Sequence, residues 1–132
     1  MVKEAGTLSQ NEHNPLQTVL VVEDDVHIGA FLIEAITQET PYDALLDGSG
    51  AEALETVKSL KPGLLVLDYH LPGINGLQLY DRLHAIKELA HVPAIMVSAV
   101  LPEQELKQRK IIGIKKPFEL DTLLDAIDQL VA

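Results

Sequence analysis

The 132-residue chain contains no cysteine and no tryptophan, and its aromatics are three tyrosines and two phenylalanines. Without cysteine there can be no disulfide, no thiolate metal site and no thiol catalysis. Cations are also scarce. Ten Lys and Arg face twenty Asp and Glu, for a formal net charge of −10. A surface this acidic repels nucleic-acid phosphates and anionic lipid, so direct nucleic-acid binding and membrane association are not expected. Cations and basic partner surfaces are favoured instead. Long apolar runs are missing too: none approaches the roughly 20 residues that span a bilayer. The opening stretch MVKEAGTLSQNEHNPLQ lacks the apolar core of a signal peptide. A cytoplasmic protein is the expectation.

What the chain does have is a large apolar share, 47%, carried by Val, Leu, Ile and Ala. That composition and length suit one domain that folds without staples. Residues 1–17 are polar and aperiodic and read as a flexible tail; residues 18–132 read as the domain. Thr18-Val19-Leu20-Val21-Val22 is a short continuous apolar run, as in a strand covered on both faces. Ile28, Phe31, Leu32, Ala35 and Ile36 then recur at helical spacing. Tyr42 to Asp47 gives a weaker second strand. Ser49 and Glu52 fit a capping box that opens a helix carrying Leu54, Val57 and Leu60.

Pro62-Gly63 ends that helix, and Leu64-Leu65-Val66-Leu67 forms a third strand ending at Asp68. A turn-rich loop, residues 71–76, leads to a helix with Leu79, Tyr80, Leu83 and Ile86 on one side. Ala94-Ile95-Met96-Val97 is the fourth strand, ending at Ser98. A short helix is expected with Pro102 in its first turn, followed by a fifth strand over Ile111 to Ile114. A last helix after Pro117 carries Leu120, Leu123, Leu124, Ile127, Leu130 and Val131. Strict strand–helix alternation predicts an α/β fold: a flavodoxin-like, doubly wound, five-stranded parallel sheet of order 2-1-3-4-5.

In such a sheet, ligands bind beyond the carboxyl ends of the strands. Those ends carry Glu23-Asp24-Asp25, Asp68, Ser98 and Lys115-Lys116-Pro117. Each piece alone has a plain explanation: acids after a strand cap the next helix, and a lone Asp forms turns. Together they form a cleft of carboxylates with one hydroxyl and one ammonium. Carboxylates crowded in one cleft raise each other's pKa unless a cation compensates, and Mg²⁺ does so with few protein ligands and several waters. Asp24 and Asp68 can supply ligands directly, with Glu23 acting through water. A carboxylate beside the metal can serve as nucleophile and form an aspartyl phosphate, whose oxygens Lys116 and Ser98 would meet.

Four blocks carry a family likeness: residues 19–25 (VLVVEDD), 66–76 (VLDYHLPGING), 95–99 (IMVSA) and 116–118 (KPF). From Thr18 to the C-terminus the chain resembles the receiver domain of two-component response regulators. The resemblance implies a phosphorylation-dependent switch with Asp68 as phosphoacceptor. It implies a Mg²⁺ site made by Glu23, Asp24, Asp68 and the backbone carbonyl of His70. Ser98 would be the switch hydroxyl, and Lys116 would bridge to the acceptor ahead of a cis bond to Pro117. Asp25 would be a helix cap rather than a ligand. The implied partners are a sensor histidine kinase or phosphotransfer protein as donor and a downstream protein target, with a homodimer possible.

Two positions depart from the family pattern. The residue three before Lys116, an aromatic in most members, is Gly113, and the segment from Ser98 to Lys116 is about one helical turn short. Both fall on the surface through which such domains signal. The five histidines show no metal-ligand spacing and read as surface residues. His70 is the exception, because with Val100 it fringes the expected phosphoryl site, where a bulky rim would exclude water and lengthen the phosphorylated state. Two other readings stand beside the switch. One is a module that signals by association alone; the other is a Mg²⁺-dependent phosphatase on small molecules, which the absence of a substrate cap disfavours. The switch would catalyse only its own phosphorylation and hydrolysis, and would not be an enzyme otherwise.

Overall fold

A computed structural model describes residues 18–131. The tail expected over residues 1–17 lies outside the described residues. The elements follow in strict alternation: β1 (Thr18–Val22), α1 (Val26–Glu39), β2 (Asp43–Asp47), α2 (Gly50–Thr56), β3 (Leu64–Asp68), α3 (Gly76–His84), β4 (Ala94–Ser98), α4 (Glu103–Arg109), β5 (Ile112–Lys115) and α5 (Leu120–Val131). A turn of 3₁₀-helix, Lys87–Leu89, lies between α3 and β4. All strand pairs are parallel, and the order is β2-β1-β3-β4-β5. This is the doubly wound α/β sheet that the sequence pattern predicts.

Two apolar layers hold the sheet, and the pleat decides which residues join each. Leu20, Val22, Leu65, Leu67 and Met96 face one way, against Ala53 and Val57 of the α2 segment, Leu79 and Leu83 of α3, and Leu106 of α4. Val19, Val21, Leu64, Val66 and Ile95 face the other way, against Leu32 and Ile36 of α1 and Leu123 and Ile127 of α5. Each such fully buried side chain contributes roughly 1.5–3 kcal/mol. Because both faces are covered, β1, β3 and β4 read as continuous apolar runs. Among the described residues no helix is long and apolar enough to cross a membrane.

Local chemistry moves several boundaries from the expected places. Glu52 does not reach back to the Ser49 amide; its Oε1 accepts from Gly48 N at 2.6 Å, while Ser49 Oγ accepts from Glu52 N at 3.2 Å. Pro102 stands at the N-cap of α4, just ahead of its first turn. Ile111 falls outside β5 because its N–H is spent on the end of α4, donating to Leu106 O at 2.9 Å. With Lys110 left-handed (φ 60°) and Lys110 N donating to Lys107 O, this is a Schellman stop, with Leu106 and Ile111 buried together. Ile86 belongs to the turn after α3 and packs against the core from there.

Candidate functional site

Four strand ends converge at the carboxyl edge of the sheet. Val22 is paired with Leu67, Asp68 with Val97, and Ser98 with Lys115, so Glu23, Asp68, Ser98 and Lys116 stand side by side. Glu23, Asp68 and Ser98 are the three buried polar residues of the described chain, at 2%, 4% and 1% exposure. Burying a polar group costs free energy unless something satisfies it. Lys116 does so for the acids: its Nζ donates to Glu23 Oε1 at 2.9 Å and to Asp68 Oδ2 at 3.2 Å.

The backbone sets the remaining carboxylate oxygens. His70 N donates to Asp68 Oδ1 at 3.0 Å, and Asp25 N donates to Glu23 Oε2 at 3.1 Å. Asp25 itself turns away. Its Oδ1 accepts from His27 N and Ile28 N at 2.9 and 3.0 Å, and these bonds hold its carboxyl below the usual range. It is the N-cap of α1, as the sequence suggests.

The loop after β3 is pinned against Asp68. Gly76 N donates to Tyr69 O at 2.8 Å, and a reciprocal capping box joins Asn75 and Gln78 at the start of α3. The approach is so close that a Cβ on Gly76 would lie 2.3 Å from Asp68 O and 2.9 Å from Tyr69 Cα. Only glycine fits there. This loop carries His70 past Asp68.

Electrostatically the site is short of positive charge. Burial pushes the Glu23 carboxyl up from its ordinary value, with Asp68 adding to the rise and Lys116 and the Asp25 amide opposing it. Burial pulls the Lys116 ammonium down, but its hydrogen bond to Glu23 and the charge of Asp68 outweigh that, and its pKa ends raised. One ammonium thus serves two buried carboxylates. Asp24, exposed beside them, brings a third: one oxygen each from Glu23, Asp24 and Asp68 all lie within 4.8 Å of one another. Three oxygens at that spacing, with excess negative charge and an open side, suit a hard divalent cation that keeps several waters.

Ser98 Oγ is buried and has no hydrogen-bond partner among the described residues. An unmade bond on a buried hydroxyl costs about 1–3 kcal/mol.

Beside Lys116 lies an open apolar depression of about 490 Å³, lined among others by Ile28, Phe31, Ala99, Pro117 and Phe118. The Lys116–Pro117 bond is cis, as the resemblance implies. The sequence pattern gave no sign of the depression, because Ile28 and Phe31 read there only as part of α1's apolar stripe. His70 and Val100 are both exposed, Val100 at 67%.

The family model for the response regulator receiver domain matches residues 19–128. The chain belongs to this family. The receiver domain is 28% identical over 115 residues to the sporulation initiation phosphotransferase F of Bacillus subtilis, covering 84% of this chain and 90% of that protein. It is 29% identical over 119 residues to the sensor histidine kinase TmoS of Ectopseudomonas mendocina, covering 86% of this chain but 12% of the kinase. Among solved structures, the chemotaxis protein CheY4 of Vibrio cholerae superposes with a TM-score of 0.79 at 23% identity, over 87% of this chain and 98% of that one. That likeness speaks for the fold of the receiver domain, and the acidic cluster sits at its carboxyl edge.

Proposed function

We propose that this receiver domain is a phosphorylation-dependent switch of a two-component system, with Asp68 as the phosphoacceptor. The observation that carries the reading is the buried Asp68 carboxylate. One oxygen is held by Lys116 and the other by the His70 amide, while at the neighbouring strand end the Ser98 hydroxyl is buried with no partner among the described residues. In the transfer, a carboxylate oxygen of Asp68 bonds to phosphorus as the phosphorus–nitrogen bond of a phosphohistidine donor breaks. The ring, already protonated on its other nitrogen, keeps the electron pair of that bond and leaves as neutral imidazole. Lys116 and Ser98 donate to the phosphoryl oxygens that gain charge.

Glu23, Asp24, Asp68 and the backbone carbonyl of His70 would hold a Mg²⁺ ion, which supplies charge neutralisation to the transferring group. Support for this comes from the clustered carboxylate oxygens and their unbalanced charge. The donor is a sensor histidine kinase or phosphotransfer protein, and the apolar depression around Phe31 and Phe118 offers it a seat next to Lys116. The readout is contact with a downstream protein or with a second copy of the chain. The domain acts on itself and does not turn over a small substrate; the open, uncapped site favours this over a phosphatase. On this reading the domain works in the cytoplasm, alongside its donor.

A phosphorylated histidine donor mixed with the full chain tests the proposal. Label should pass to the chain in stoichiometric amount, stop when Mg²⁺ is chelated, and be absent with Asp68→Asn. Transfer that persists in Asp68→Asn would assign the acceptor elsewhere. Binding of the donor without transfer would favour a module that works by association.

A further inference from the structure

The position where the family pattern places an aromatic is glycine here, and the structure shows what lies against it. A Cβ on Gly113 would lie 2.8 Å from Leu106 Cδ1 and 3.0 Å from Leu101 Cδ1. Two leucine side chains therefore rest on the bare backbone of β5. They are anchored differently. Leu106 is 3% exposed and belongs to the core, and the end of its helix is clamped to α3. There Arg109 Nε and Nη2 grip the two Asp81 carboxylate oxygens at 2.8 and 2.9 Å, and Tyr80 Oη donates to Arg109 O at 3.4 Å. Leu101 has no such tether. It is half-buried at the edge of the same core and lies before the N-cap of α4, a helix end that no side chain caps among the described residues.

Leu101 is three residues beyond Ser98, whose buried hydroxyl has no partner among the described residues. We propose that Leu101 carries the state of Asp68 to the α4–β5 surface, leaving its seat on Gly113 when the Ser98 hydroxyl turns to a phosphoryl group on Asp68. The inference rests on the reading of Asp68 as phosphoacceptor. Phosphoryl oxygens next to Ser98 supply the acceptor that its hydroxyl lacks. The strand end that turns to meet them pulls on Ala99, Val100 and Leu101, because β4 beneath is fixed by its pairing to β3 and β5. The C-terminal end of α4 stays clamped, so the movement is taken up at Leu101 and Pro102. Gly113 and Leu106 also form part of the wall of an open cleft of about 560 Å³, with Glu103, Lys107 and Ile111. Withdrawal of Leu101 extends this cleft onto the backbone of β5, where a partner protein can read it. Glycine at 113 is what lets an aliphatic side chain do this in place of an aromatic one.

The test is NMR of the isotope-labelled full chain before and after acetyl phosphate with Mg²⁺, with phosphoryl uptake followed by intact mass. In the wild type the Leu101 methyl and Gly113 amide resonances should both move on phosphorylation. In Leu101→Ala the mass gain and the Ser98 amide shift should persist while the Gly113 shift is lost. In Gly113→Ala the added methyl crowds both Leu106 and Leu101, and because Leu106 is held in the core it is Leu101 that gives way, so the unphosphorylated Leu101 methyl resonances should already be displaced toward their phosphorylated positions. Full mass gain with unmoved Leu101 methyls in the wild type overturns the inference, as does a Gly113 shift that survives in Leu101→Ala. Absence of any mass gain in the wild type is a different result: it overturns the phosphoacceptor reading, and the relay with it.

Discussion

The ammonium of Lys116 lies 3.2 Å from Asp68 Oδ2, although the two residues are 48 positions apart in the chain. The same ammonium lies 2.9 Å from Glu23 Oε1. One cation thus holds together the ends of β1, β3 and β5, and the stability of the site edge depends on it.

Replacing that cation should be costly. Lys116→Met leaves two buried carboxylates with no counter-ion, and removing one partner of a buried charge pair costs about 3 kcal/mol. Urea denaturation without divalent ions should show a loss of that size. Added Mg²⁺ should then raise the midpoint of the variant by more than it raises that of the wild type. Equal Mg²⁺ effects on both would count against a cation site in the acidic cluster.

The pH dependence of the same pair has a defined sign. The Lys116 pKa is raised in the folded protein, burial notwithstanding, by the bond to Glu23 and the charge of Asp68. Its contribution is therefore complete below the unfolded lysine value of about 10.4 and is lost as pH rises through the higher folded value. Wild-type stability should fall more steeply in that alkaline window than that of Lys116→Met. Parallel curves would mean that the ion pair carries no linkage.

Gly76 should tolerate no side chain. Its Cβ would meet Asp68 O and the Tyr69 Cα, and backbone atoms cannot swing aside. Gly76→Ala should lower stability by about 3 kcal/mol, the upper part of the usual range for overpacking. It should also displace the Asp68 carboxylate and, on the proposed function, reduce phosphoryl uptake in the fraction that folds. Thermal melts and uptake measured on one preparation check both.

Lys110 offers the opposite case. It is the single non-glycine residue with positive φ among those described, and it ends α4 in the left-handed region. An L side chain there costs roughly 1–2 kcal/mol, part of which glycine gives back through its freer unfolded chain. Lys110→Gly should stabilise the domain by about 0.5–1 kcal/mol. Unchanged or lower stability in urea would mean that the lysine side chain has a compensating role.

Most of the fold was legible because β1, β3 and β4 are buried on both faces and must be written as unbroken apolar runs. Proline and glycine punctuation then separated the helices. The site residues were legible for a related reason: the fold puts strand ends together, so Glu23, Asp68, Ser98 and Lys116 could be gathered without knowing any distance. Contacts made across the fold by residues with ordinary local roles were not legible. Arg109 drew no notice in the sequence, yet from the end of α4 it grips Asp81 of α3. Ile111 reads as strand, yet its amide closes α4. Gly113 reads as a missing side chain, and only the packing shows Leu101 and Leu106 occupying its place.

The most direct measurement is the intact mass of the chain after incubation with acetyl phosphate, with and without Mg²⁺, for wild type and Asp68→Asn. The account predicts a gain of one phosphoryl group that requires Mg²⁺ and vanishes in Asp68→Asn. A wild-type mass that stays unchanged at saturating donor, or a gain that survives in Asp68→Asn, would contradict it.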